Sequence, residues 1–155
     1  MRRKDRELKN KDELVSILEE ADVCRIAIQS VKAPYIVPLN FGYSWEDQLV
    51  FYFHSAGEGR KIDLLKESNT VGFELDTAHV LAKAEKACDW GMKYKSIIGV
   101  GKISFIEDAK EKSLALQTVM KKYGHAGEAV FDSAMLHKTR VYKLIVQEIS
   151  GKEKK

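Results

Sequence analysis

The sequence predicts an α+β fold in which about six antiparallel strands form a small barrel with flanking helices, and three observations carry that expectation. Runs with a period of two recur along the chain, separated mainly by short turns. Helical periods appear at the start, in the middle and near the end. Glycine and proline fall where strands must bend, turn or stop, and no internal repeat or low-complexity segment is visible.

Asn10-Lys11-Asp12-Glu13 reads as a helix N-cap with a reciprocating glutamate, after which Leu14, Ile17, Leu18 and Ala21 share one face. Over 23–29 the period changes to two, with Cys24, Ile26 and Ile28 opposed to Arg25. After a polar turn at 30–33, Tyr35, Val37, Leu39 and Phe41 oppose Ile36, Pro38 and Asn40. Pro38 cannot donate a ladder hydrogen bond, so it marks an edge, a bulge or an opening of the sheet. Residues 44–47 turn the chain, and 48–54 is a third strand so dense in apolar side chains that both faces are expected to be covered. A loop with Gly57 and Gly59 leads into a short helix over 60–66 carrying Ile62 and Leu65, and Val71, Phe73 and Leu75 then alternate with Gly72, Glu74 and Asp76. Residues 79–91 read as a connection. A long strand follows over 94–106, in which Gly99 and Gly101 permit a bend or a close approach. Asp108 caps a helix that presents Leu116, Val119, Met120 and Tyr123 and stops at Gly124. The stretch 127–136 is open between loop and short helix, and 139–149 is a closing strand.

The 155 residues fit one domain, 1–155, with 1–9 and 151–155 expected as loose tails that hold much of the net charge of +3. That field is too weak to imply nucleic acid, and no apolar run is long enough to cross a bilayer. The basic start runs into Asp5, Arg6 and Glu7 rather than an apolar stretch, so a cytoplasmic protein is expected. Cys24 and Cys88 stand far apart with no Cys-x-x-Cys spacing, which indicates neither a disulfide framework nor a metal site. Cys88 and Trp90 read as packing residues, and His79, His125 and His137 as surface residues of connections.

The stretch with most chemical content is Phe53-His54-Ser55-Ala56-Gly57-Glu58-Gly59-Arg60-Lys61, which joins a strand end to a helix start. The first turn of a helix offers unpaired N–H groups and a positive dipole end. Arg60 can fork onto two phosphate oxygens, Lys61 adds a point charge, and His54 and Ser55 can each donate a hydrogen bond. The Walker pattern is not met, because Ile62 follows Lys61, and Gly99-x-Gly101 does not complete a dinucleotide fingerprint. The alternative is a surface loop whose two cations are solvated, although cations at a helix N-terminus oppose the dipole unless an anion is present.

Three stretches and the chain's last turn carry a resemblance: Tyr35-Ile36-Val37-Pro38-Leu39-Asn40-Phe41-Gly42-Tyr43; then Phe51 to Ala56 with Gly59-Arg60-Lys61; then Tyr94-Lys95-Ser96-Ile97-Ile98-Gly99-Val100-Gly101; and last Ile149-Ser150-Gly151-Lys152. In this order they resemble the pyridoxamine-phosphate-oxidase-like split barrels, nearest to the nitroimidazole-resistance (Nim-like) branch. The resemblance implies a split β-barrel working as a homodimer with flavin mononucleotide (FMN) at the subunit interface. It implies that His54, Ser55, Arg60 and Lys61 hold the phosphate and that Val37, Pro38, Leu39 and Asn40 run beside the isoalloxazine ring. Tyr94 and Ser96 would then contribute around the ring or the ribityl chain, from either subunit. Asn40 also reads as a turn residue, and Tyr94 and Ser96 as alternating residues of a barrel wall. The strand 139–148 has Arg140 but no tryptophan, which departs from the segment that vitamin-synthesising members use for their substrate's phosphate.

The activity so implied is an FMN-dependent oxidoreductase acting on nitro-aromatic or other small organic substrates, with His54 as a proton donor. A flavin or haem carrier or sensor on the same barrel is the alternative, with His54 or His79 as the available haem ligand. Single-stranded nucleic acid could stack on Phe51-Tyr52-Phe53, but the weak net charge opposes it.

Overall fold

The protein is described by a computed structural model covering residues 2–155. Along the chain the elements are β1 (Glu7–Leu8), α1 (Lys11–Glu20), β2 (Cys24–Ile28), β3 (Tyr35–Leu39), β4 (Gly42–Trp45), β5 (Leu49–Ala56), α2 (Arg60–Glu67), β6 (Thr70–Ala82), β7 (Gly91–Ile106), α3 (Ala109–Lys122), α4 (Ser133–Lys138) and β8 (Thr139–Lys154). Every pairing is antiparallel, and the strands form one sheet in the order β3-β2-β6-β7-β8-β5-β4, with β1 added along β8. The two end strands, β3 and β4, are not paired with each other, so the curled sheet stays open along that seam. Among the described residues no helix is long and apolar enough to cross a membrane.

Eight strands replace the six expected. The alternating run beginning at Tyr35 divides after Leu39, since β3 pairs with β2 whereas β4 pairs with β5. Phe41, fully buried, anchors the crossing between them, its N–H donating to the Tyr123 hydroxyl at 3.1 Å. A side chain on Gly42 would meet the α3 backbone, 2.5 Å from the Val119 nitrogen, so this strand can lie under α3 only with glycine there. Ser44, expected in a turn, therefore lies within a strand.

Residues 7–8 and 151–154 are not loose either. Glu7 and Leu8 pair with Lys152 and Gly151, and β8 continues to Lys154. Gly151 is buried, and a Cβ there would overlap the Leu14 side chain, so α1 packs directly on the last strand. Residues expected as a connection at 79–91 instead extend β6 and β7 into a projecting hairpin, with a register shift between Thr77 and Val80 and Ala78 at φ 56°. The undecided stretch before β8 contains α4, capped by Asp132, whose carboxylate accepts from the Met135 N–H at 2.7 Å.

The core lies inside the curl. Cys24, Ile26 and Ile28 of β2, Phe51 and Phe53 of β5, Phe73 and Leu75 of β6, and Tyr142 and Leu144 of β8 are buried there, closed over by Leu14, Ile17 and Leu18 of α1. Its aromatic rings meet at centroid distances of 5.6 Å (Phe41 to Phe51), 5.2 Å (Phe51 to Phe73) and 5.7 Å (Phe53 to Tyr142), and truncating one such ring to alanine costs about 3–5 kcal/mol. A second cluster of Ile106, Ala115, Leu116 and Val141 takes in Tyr52 from the other face of β5. That strand is thus covered on both faces, as its composition predicts.

Close packing along β7 relies on glycine. A Cβ on Gly99 would run into the Glu148 carbonyl and the Phe73 ring, whereas one on Gly57 would meet only the Lys138 carbonyl at 3.5 Å. Urea unfolding should show Gly99→Ala destabilised by about 2 kcal/mol or more and Gly57→Ala within about 0.5 kcal/mol of the parent. Equal midpoints for the two variants would contradict the close approach.

Candidate functional site

Alternation along β5 sends Ser55 to the inner face with Phe51 and Phe53, and His54 to the opposite face. The chain leaves the sheet at Ala56 and enters α2 through Gly59, whose φ of 116° and ψ of 166° suit glycine alone. The other three α-helices are capped by side chains, from Asn10, Asp108 and Asp132, but α2 has no side-chain cap. The Gly59 carbonyl receives the N–H groups of Ile62 at 2.8 Å and Asp63 at 3.2 Å. The Arg60 and Lys61 amides lie in the first turn, where no helical acceptor exists, so the positive end of α2 is left open.

The Lys61 side chain is half-buried with its ammonium 6.0 Å from the centre of the Tyr142 ring, and burial holds its pKa below the ordinary lysine value. His54 is held below the usual imidazole range, first by partial burial and then by the Lys61 charge. The two are therefore close enough to repel, which an anion between them would relieve. The Ser55 hydroxyl donates to the Ala56 carbonyl at 3.0 Å. Tyr142 is fully buried, and its hydroxyl has no hydrogen-bond partner.

Arg60 departs from the expected convergence. It is exposed, its guanidinium lies 4.6 Å from the Tyr35 ring centre, and it donates to the Ser30 hydroxyl at 3.4 Å. Stacking on an aromatic face competes with solvation for a weakly hydrated guanidinium, which explains why it leans on the turn before β3 rather than beside Lys61. The contact sets α2 against the start of the edge strand. Along that strand Val37 and Leu39 are half-buried against the core while Pro38 and Asn40 are exposed. Pro38 sits on an edge strand opposite Arg25, one of the positions its missing N–H allows.

Tyr94 and Ser96 are elsewhere. They pair with Lys154 and Lys152, and the Lys152 ammonium lies 5.2 Å from the Tyr94 ring centre and draws its hydroxyl below the usual phenol range. His54, by contrast, faces Val141 near the other end of β8. Eleven residues separate Val141 from Lys152, roughly 35 Å of strand contour at ~3.3 Å per residue. The register sets neither Tyr94 nor Ser96 beside His54.

Cys88 and Trp90, expected as packing residues, are exposed on the β6–β7 hairpin, which projects from the core, and Trp90 donates its indole N–H to the Ala84 carbonyl at 2.7 Å. His79 is exposed, its Nε2 2.9 Å from an Asp76 carboxylate oxygen, and His125 and His137 are exposed as expected. Tyr142 is the residue that sequence reasoning passed over. Its signal was a lone hydroxyl in the apolar middle of 141–146, and only strand register shows that it faces Phe53.

The family described as pyridoxamine 5'-phosphate oxidase matches residues 10–153. A candidate 5-nitroimidazole antibiotic resistance protein of Bacteroides thetaiotaomicron superposes with a TM-score of 0.82 at 32% identity, covering 95% of this chain and 86% of that one. The flavocytochrome Anf3 of Azotobacter vinelandii gives 0.84 at 19% identity (100% and 72% covered), and an FAD and heme binding protein of Mycobacterium smegmatis gives 0.83 at 15% (97% and 74%). These last two show the shared fold. No curated protein matches the sequence significantly. The family match across nearly the whole chain, joined to the likeness at 32% identity, shows that this chain belongs to the pyridoxamine 5'-phosphate oxidase-like family.

Proposed function

We propose that the chain binds FMN, with the phosphate at the N-terminus of α2, and acts as a homodimeric oxidoreductase on nitro-aromatic or other small organic molecules. The observation that carries the reading is the uncapped start of α2 with a half-buried, carboxylate-free Lys61 beside it. In this arrangement the Arg60 and Lys61 amides, the Lys61 ammonium and the His54 imidazole receive the phosphate. Arg60 would leave Tyr35 to join them. The edge strand β3 and the residue after it, from Val37 to Asn40, flank the ring and exclude water from one side. When bound, the flavin supplies the redox chemistry. Because the Lys61 charge acts on His54, we place this imidazole at the phosphate rather than as the proton donor.

The homodimer is supported by an apolar band on the outer face of the sheet. Ile36, Ala27, Gly72 and Val100 are successive cross-strand neighbours, and the adjoining row runs Pro38, Arg25, Glu74, Ile98, with the Arg25–Glu74 ion pair at 3.1 Å in its middle. Ile36 and Ile98 are 62% and 59% exposed. We propose that in such a pair Tyr94 and Ser96 reach the flavin held by the other copy.

Purified protein titrated with FMN should show the two visible flavin bands bound, and replacing Arg60 and Lys61 together by alanine should weaken binding by about 3 kcal/mol or more, ~100-fold in Kd. Protein that stays colourless and ignores added FMN would defeat the reading, and an intense Soret band would replace it with haem binding.

His54 also has a predictable response. Partial burial and the Lys61 charge hold its pKa below the usual imidazole value in the free site, and a phosphate bound beside it would favour the charged imidazole and raise that pKa. Proton NMR of His54 should titrate at higher pH with FMN than without. An unchanged or lower midpoint argues for a phosphate elsewhere.

Ile98→Lys should turn a sedimenting dimer into a monomer with little loss of fold, because the residue is exposed in the single chain, and should weaken FMN binding in parallel. A variant that remains dimeric would remove this face from the interface.

A further inference from the structure

Tyr142 has the one buried side-chain polar atom without a partner among the described residues. Lys112, also deeply buried, is satisfied, its ammonium donating to the Leu136 and Thr139 carbonyls at 3.3 Å. Packing at position 142 needs only a ring, lying between Phe53 at 5.7 Å and Phe105 at 5.9 Å. A phenylalanine would meet that need without burying an unpaired hydroxyl, whose desolvation is otherwise uncompensated. The hydroxyl therefore calls for a use.

Its surroundings point to one. Ser55 faces Arg140 and Phe53 faces Tyr142 in the β5–β8 register, so Ser55 is the diagonal neighbour of Tyr142 on the same inner face, within reach of an aromatic side chain. Burial pushes the Tyr142 phenol up, the nearby Ser55 hydroxyl acts against that shift, and the Lys61 ammonium lies over the same ring at 6.0 Å from its centre. Ser55 spends its single proton on the Ala56 carbonyl, an acceptor of its own loop, and keeps a lone pair free to accept.

We propose that Tyr142 is a positioning residue of the phosphate loop. When an anion settles at the start of α2, Ser55 turns its hydroxyl proton from the Ala56 carbonyl to the anion, and the Tyr142 hydroxyl donates to the Ser55 oxygen. Two hydrogen bonds then stand in series from the core to the ligand, and each strengthens the other in a site of low dielectric. The inference rests on the phosphate reading given above. It adds a residue inside the barrel that prepares Ser55 without touching the ligand.

The test compares FMN with riboflavin, which lacks the phosphate, by flavin fluorescence titration of the full chain and its Tyr142→Phe variant. The variant should bind FMN roughly 3- to 10-fold more weakly, the worth of one net hydrogen bond, and riboflavin unchanged. Ser55→Ala should lose a similar factor, and the double variant little more than either single one. The ligand-free Tyr142→Phe protein should unfold in urea at the same or a higher midpoint. Equal FMN affinity in parent and variant would overturn the inference while leaving the phosphate site intact. A lower urea midpoint with equal losses for FMN and riboflavin would also overturn it, by making the hydroxyl structural. A parent chain that binds no FMN would instead overturn the site reading itself, and this inference with it.

Discussion

Everything at the candidate site depends on the pairing of β5 with β8, which runs without a slip from Val50↔Ile145 to Ala56↔Thr139. Because side chains alternate at every residue of a strand, that register decides at once which residues enter the core and which do not. It sets Phe53 against Tyr142, puts Ser55 inside and His54 outside, and fixes the point at which the chain leaves the sheet for Gly59 and α2. A slip of one residue would bury His54 and expose Ser55. The register is enforced from both sides, by the aromatic core within and by the cluster under α3 without.

What β5 delivers is a helix start that the rest of the protein leaves unfinished. Side-chain caps on α1, α3 and α4 show that the sequence supplies such groups elsewhere, while α2 begins on a glycine in a conformation other residues avoid and follows it with two cations. Each of these choices costs stability in the absence of a ligand. A half-buried ammonium and a repelled imidazole add to that cost. Such local conflicts gather where a protein binds something, and an anion resolves all of them together.

Much of this was legible in the residues. The change of period at Val23, the proline of an edge strand and the glycine loop before Arg60 all have local causes, and the structure reproduces them. The departures have non-local ones. The division of the run after Leu39 depends on which strand each half meets, and the hairpin at 79–91 on the mutual pairing of two weak stretches. The charge of 151–155 predicts a solvated tail, yet Gly151 owes its burial to Leu14, far away in sequence. At the site, residue types revealed the anion chemistry, but the stacking of Arg60 on Tyr35 and the isolation of the Tyr142 hydroxyl are properties of packing alone. The separation of Tyr94 and Ser96 from His54 likewise became visible only with the register of β8.

The central claim is a location, and a crystal structure of the protein grown with FMN tests it most directly. The account predicts phosphate oxygens within hydrogen-bond reach, about 2.7–3.2 Å, of the Arg60 and Lys61 backbone amides, with the Lys61 ammonium turned onto them. A flavin phosphate seated anywhere else, with the first turn of α2 still facing water, would contradict it.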